Sequence, residues 1–151
     1  MLPSFLLLED SYTDVQTMTA LFKRIGLANP VRVIGTVADA QRHLTESAPE
    51  RLPVIVFIGA QMRGLHGLDL LDWMRQQDVL SRVAAIALLD AADADATARA
   101  AELGVSVVEK PVDMRALITA MRALGLSEKA RIDRMTLSVQ IELYPPEDQS
   151  G

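Results

Sequence analysis

Carboxylates and an ammonium stand at the ends of apolar runs, which is where chemistry could arise in this chain. Residues 5–8 (FLLL) run straight into Glu9 and Asp10, and residues 105–108 (VSVV) lead through Glu109 to Lys110 and Pro111. An adjacent acidic pair offers hard oxygen ligands to a divalent cation, and a nearby ammonium offers the same pair an internal counter-charge. Between these runs, residues 54–58 (VIVFI) form an unbroken apolar, β-branched stretch, the pattern of a central strand buried on both faces of a parallel sheet. Gly59 follows at once. In an open α/β sheet the site lies outside the carboxyl ends of the strands, so residue 59 stands in it and contributes backbone only.

Each of these residues also has a plainer reading. Glu9 and Asp10 alone suit a helix cap with a solvated neighbour, Lys110 a surface residue at a strand end, and Asp90 an acid at a helix start. Gly59 alone could be a turn glycine. His66 is expected in a solvated loop, and Trp73 and the methionines in packing. The common placement of Glu9, Asp10 and Lys110 after strands favours a shared site.

The elements that would position them alternate along the chain. After the first short strand, Val15, Met18, Leu21, Phe22 and Ile25 recur at helical spacing, with Asp10 or Ser11 as cap and Gly26 as stop. Residues 31–34 read as a half-exposed edge strand, and Thr36 caps a second helix carrying Val37, Ala40 and Leu44. A third helix begins near Gly67 and fades by Gln77. Residues 83–88 form the next buried strand, and Asp90, Asp93 and Asp95 precede an alanine-rich fourth helix. Residues 105–108 make the fifth strand, and Met114, Leu117, Ile118, Met121 and Leu124 trace a fifth amphipathic helix to Gly125. Repeated βα units over this length predict a doubly wound parallel sheet.

Composition narrows the function. The 151 residues suit one domain, and half are hydrophobic, enough for a sizeable core. There is no cysteine, which removes disulfides, thiol nucleophiles and cysteine metal sites, and two separated histidines make a structural zinc an unexpected feature. A net charge of −5 provides no basic surface for nucleic acid. No apolar run approaches the ~20 residues of a membrane span, and the acidic start differs from a signal peptide, so a soluble cytoplasmic protein is expected.

The stretches FLLLEDSYTDV, PVIVFIGAQMRGLHGLDLL, VAAIALLD and VVEKPVD, over roughly residues 4–125, together resemble the receiver domain of two-component response regulators. The resemblance implies a flavodoxin-like α/β fold with strand order 2-1-3-4-5, an order for which a receiver domain is already a standing example. EDSYTDV and GLANPVRVI are also similar to the single-domain receivers that serve phytochrome-type histidine kinases. In that family an acidic pair and an aspartate after the third strand bind magnesium, and this aspartate takes a phosphoryl group from a histidine kinase. A hydroxyl after the fourth strand and a lysine after the fifth contact the phosphoryl oxygens. Matched position by position, Glu9 and Asp10 are the acidic pair and Lys110 with Pro111 the lysine and its proline. Gly59 stands at the phosphoacceptor, Leu89 at the hydroxyl and Val107 at the aromatic switch. Gln61 falls where a backbone carbonyl would complete the metal shell.

The resemblance therefore implies a degenerate receiver, or pseudo-receiver. Glycine cannot supply the carboxylate of an acyl phosphate, and two carboxylates facing one ammonium leave little call for a metal. Neither enzyme activity nor a cofactor is expected, and Glu9 and Asp10 are at most weak magnesium ligands. Gly59→Asp alone is expected to restore magnesium binding better than phosphotransfer, because it completes the acidic cluster but leaves Leu89 in place. The alternative is a phosphorelay receiver using Asp10 or Asp90 as substitute acceptor. Expected partners are a sensor histidine kinase, a phytochrome-type one included, or another response regulator, with no nucleic acid and no membrane.

Residues 126–151 exceed the receiver pattern and read as a second segment. After a charged stretch at 127–134, Met135, Leu137, Val139, Ile141 and Leu143 alternate with polar residues until Pro145 and Pro146, the period of a strand with one apolar face. A lone strand of this kind needs a partner. The crossover through the fifth helix could return it to the fifth-strand edge of its own sheet, or the charged connection could carry it to a partner subunit; a homodimer arm is favoured, so that truncation after Gly125 is expected to yield a monomer.

Overall fold

The computed structural model describes residues 3–62, 64 and 66–127. Among them five strands form one parallel sheet: β1 (Phe5–Leu8), β2 (Val31–Ile34), β3 (Ile55–Gly59), β4 (Ala84–Asp90) and β5 (Ser106–Lys110). Their order is β2-β1-β3-β4-β5, the flavodoxin-like arrangement expected above. Five α-helices alternate with them: α1 (Tyr12–Ile25), α2 (Val37–Glu46), α3 (Gly67–Arg75), α4 (Ala94–Leu103) and α5 (Met114–Ser127). Each strand presents successive side chains to opposite faces, so the sheet organises two cores. Phe5, Leu7, Ile55, Phe57, Ile86, Leu88 and Val108 meet α1 and α5, while Leu6, Leu8, Val56, Ile58, Ala87 and Leu89 meet α2, α3 and α4. On the first face the rings of Phe5, Phe22 and Phe57 pack with centroids 5.2 to 5.6 Å apart.

Helix ends follow the local signals. Between the two cap candidates of α1, Ser11 is the one used, its hydroxyl accepting from the Asp14 N–H at 3.3 Å. Gly26, at φ 92°, closes that helix in the left-handed conformation that costs glycine no Cβ clash. Thr36 caps α2 and Asp93 caps α4.

Several boundaries move. Gly59 does not follow β3 but is its last residue, paired with Leu88, and Asp90 and Lys110 are likewise paired strand residues. An apolar run marks the buried part of a strand, whereas the ladder continues as long as backbone groups meet. Helix α5 runs through Gly125 to Ser127, since an interior glycine costs only about 1 kcal/mol and ends a helix only when it turns left-handed. The alternating segment at 135–143 lies outside the described residues.

Candidate functional site

The parallel run of the strands puts the carboxyl ends of β1, β3 and β5 on one edge of the sheet, and side-chain alternation decides which residues share a face. Glu9 continues the series Phe5 and Leu7, Gly59 continues Ile55 and Phe57, and Lys110 continues Val108, all on the α1/α5 side. The Glu9 N–H donates to the Ile34 carbonyl at 3.1 Å, which holds the backbone in strand geometry beyond Leu8. Its side chain is only 2% exposed.

That buried carboxylate is held from two directions. Lys110 Nζ donates to Glu9 Oε1 at 3.0 Å, and the Ser11 N–H donates to Oε2 at 3.2 Å. Lys110 donates a second hydrogen bond, at 2.7 Å, to Asp14 Oδ2 on the first turn of α1. The ammonium thus bridges β5, β1 and α1. Burial pulls its pKa down, but the hydrogen bonds to Asp14 and Glu9 and their charges outweigh that, leaving it above the ordinary lysine value.

Sequence reasoning expected Lys110 to meet Glu9 or Asp10, and Glu9 it does meet. It missed Asp14. Asp10 is half-buried beside the clasp, while the hydrogen bonds of the ammonium go to Glu9 and Asp14. The signal for Asp14 was an acid in the first turn of a helix, one turn past the acidic pair, where its side chain returns toward the strand end.

Gly59 explains where the Glu9 carboxylate lies. A Cβ on residue 59 would sit 2.4 Å from Glu9 Oε1 and 3.0 Å from both Glu9 Cδ and the Leu8 carbonyl oxygen. Glu9 thus fills the space of the missing side chain. Gly67 closes the same corner from α3: its N–H donates to the Ala60 carbonyl at 2.8 Å, and a Cβ on it would lie 1.8 Å from the Gly59 carbonyl oxygen.

The remaining candidates lie around this clasp. Leu89 is buried in the core on the α2, α3 and α4 side, so it provides packing on the face opposite Gly59 and Lys110. Asp90 Oδ1 accepts from the Ala92 N–H at 2.9 Å in the turn before α4. Asp93 accepts from the Ala96 N–H at 3.0 Å and from Gln61 Nε2 at 2.9 Å; with those bonds, and His66 nearby, its carboxyl sits below the ordinary value despite a small opposing effect of burial. His66 is not a solvated loop residue: it caps α3, Nδ1 accepting from the Leu68 N–H at 3.1 Å, while Asp69 accepts the His66 N–H at 3.0 Å. A histidine ring nitrogen can replace the usual oxygen cap, which residue preferences do not signal. Asp69 also pairs with Arg99 at 2.7 Å, tying α3 to α4.

A family model for the response regulator receiver domain matches residues 5–122. The chain belongs to that family. As a receiver domain it is a response regulator module of two-component signalling. No curated protein matches it. Among solved structures, it is similar to the bacteriophytochrome response regulator RtBRR, at 23% identity and TM-score 0.73, over 94% of this chain and 90% of that one. It is similar also to the bacteriophytochrome response regulator AtBRR, at 26% identity and TM-score 0.72, over 83% and 94% of the two chains. A putative response regulator from Chloroflexus aurantiacus shares the fold at 18% identity and TM-score 0.70, over 83% and 98%. No helix of the described residues is long and apolar enough to cross a membrane.

Receivers of the ordinary pattern hold magnesium among three carboxylates, and the residues of this receiver do not fit that ion. Residue 59 offers no oxygen on a side chain, and Glu9, which fills the space, is already bound by Lys110 and a backbone N–H. Among the described residues no three acidic or histidine side chains are grouped as a cation would need. On the far side of β5, Val107 is 40% exposed and borders an open groove of about 800 Å³ along α5. The Lys110–Pro111 peptide at its end is cis.

Proposed function

We propose that this receiver is a pseudo-receiver that signals by protein contact, with no phosphoryl chemistry of its own. Glu9 in the side-chain space of Gly59 is the observation that carries this reading, because a phosphoryl acceptor needs a free carboxylate facing solvent and Glu9 is buried and hydrogen-bonded. Incubation with acetyl phosphate or a cognate histidine kinase, with magnesium, is expected to add no mass to the intact protein. A stoichiometric phosphoryl adduct mapped to Asp10, Asp90 or any other carboxylate would sink the proposal. The partner is a sensor histidine kinase, of the phytochrome type in view of the likeness to AtBRR, or another response regulator.

The same reading includes a homodimer whose arm is the segment 135–143. Its alternating Met135, Leu137, Val139, Ile141 and Leu143 contribute roughly 1.5 to 3 kcal/mol each on full burial, too much to leave in water, and two copies can cover each other. Because α5 continues to Ser127, the informative truncation is after that residue. Sedimentation is expected to give a dimer for the full chain and a folded monomer for the truncated one. A full-length monomer at micromolar concentration, or a dimer that survives truncation, removes the arm from the account.

A further inference from the structure

Residues 9 and 59 contend for one volume. Leu8 pairs with Ile58 in the parallel ladder, so Glu9 and Gly59 are the next neighbours across β1 and β3, on the same face of the sheet. Neighbouring strands lie only about 4.8 Å apart, and with Glu9 laid across toward Lys110 its carboxylate takes the volume that a side chain at residue 59 would need. Glutamate, longer than aspartate by one methylene, has the reach to lay its carboxylate across the partner strand, and glycine is the residue that leaves the space open. The result is the close approach of Oε1 to the site of a residue-59 Cβ, with Lys110 on the same oxygen.

We propose that Glu9 is the resident carboxylate of the third-strand position: it stands in for the absent side chain at 59, holds Lys110 from there, and keeps the acidic pocket filled and closed to divalent cations. Residues 9 and 59 are accordingly a compensating pair, and Glu9 is a positioning residue for Lys110. This deepens the phosphorylation-independent reading and rests on its premise that no carboxylate stands at 59.

An added methyl at 59 leaves Glu9 one way out. The carboxylate must give up Lys110 or the Ser11 N–H, because Leu8 on the other side presents backbone. On this proposal Gly59→Asp by itself is not expected to restore magnesium binding, in contrast to the expectation from the sequence. The new aspartate would meet a carboxylate already in place.

The test is a double-mutant cycle in the full chain, read by urea unfolding, with Gly59→Ala, Glu9→Asp and both together. Gly59→Ala alone is expected to raise the unfolding constant roughly ten- to a hundredfold, the range for losing a hydrogen bond to a charged group. In the Glu9→Asp background the same change is expected to cost at least tenfold less. Equal effects in the two backgrounds overturn the proposal. Should Gly59→Ala give no cooperative transition, its recovery on adding Glu9→Asp supports the pairing and continued failure overturns it. Calorimetric titration with magnesium supplies a readout that packing alone does not move: Glu9→Asp/Gly59→Asp is expected to bind the ion and Gly59→Asp is not. Equal binding by both overturns the closed-pocket claim. A phosphoryl adduct on the unmodified chain would end the earlier reading while leaving the cycle intact, and an additive cycle without an adduct would end only this one.

Discussion

Gly67→Ala is expected to destabilise the chain by about 3 kcal/mol or more, or to prevent folding, because its methyl has nowhere to go. The Cβ would lie 1.8 Å from the Gly59 carbonyl oxygen and 2.9 Å from its carbon, with Ile58 Cγ2 at 3.1 Å on another side. These are mostly backbone atoms of a central strand, so no side-chain rotamer relieves the overlap. Helix α3 would have to lift away from β3, losing the Gly67–Ala60 hydrogen bond and the packing of Leu68 and Leu71. The requirement is for close approach rather than for an unusual dihedral angle. Gly104 is the contrast: it is left-handed at φ 67° with open space around it, and alanine there is expected to cost only about 1 kcal/mol. Urea unfolding of the two variants side by side checks the difference. Equal midpoints would show that α3 rides on β3 loosely enough to shift.

Removing the ammonium has the second large effect. Lys110→Ala leaves the Glu9 carboxylate buried without its cation, and breaking a buried ion pair from one side costs about 3 to 5 kcal/mol. The Lys110 and Asp14 side chains are 24% and 36% exposed, so water screens part of the clasp and roughly 2 to 4 kcal/mol is the expected loss. The pH dependence has a definite sign. A lysine whose folded pKa lies above its unfolded value of 10.5 contributes stability that is complete below 10.5 and disappears as pH rises through the folded value. Thermal melting of the wild type and Lys110→Ala should therefore show a constant gap from neutrality to about pH 10 that narrows in stronger alkali. The variant should also gain affinity for magnesium, since Glu9 and Asp14 lose their internal counter-charge. An unchanged melting temperature at neutral pH would mean that the three groups are held apart in solution.

The fold was legible because two short-range periods carry it. Residues 5–8 and 31–34 are strands at the bounds read from their apolar patterns, and the two-residue and 3.6-residue periods separate strands from helices without reference to anything distant. The candidate site was partly legible for the same reason: residues that follow strands in an open parallel sheet gather at one end, which joins Glu9 to Lys110 across about a hundred positions. Asp14 was not legible as a partner, because periodicity says which face of α1 is apolar but not where its first turn stands over β1. His66 was read as a loop residue because histidine carries little weight as a cap, although its ring nitrogen serves as one here.

What the chain decides by itself is therefore local: strand or helix, the order in which they alternate, and the absence of a carboxylate at residue 59. The tertiary structure decides what fills that absence. Gly59 looks the same in sequence whether its pocket is empty, wet or occupied, and the answer depends on the spacing of β1 and β3, the reach of a glutamate side chain and the position of an ammonium brought in from β5. Gly67 likewise reads as a helix start, and only the packing of α3 onto β3 shows that its missing Cβ is what lets the helix close on the strand. Both are contacts between groups far apart in the chain, governed by hard-sphere overlap at distances of a few tenths of an ångström, and no local pattern encodes such distances.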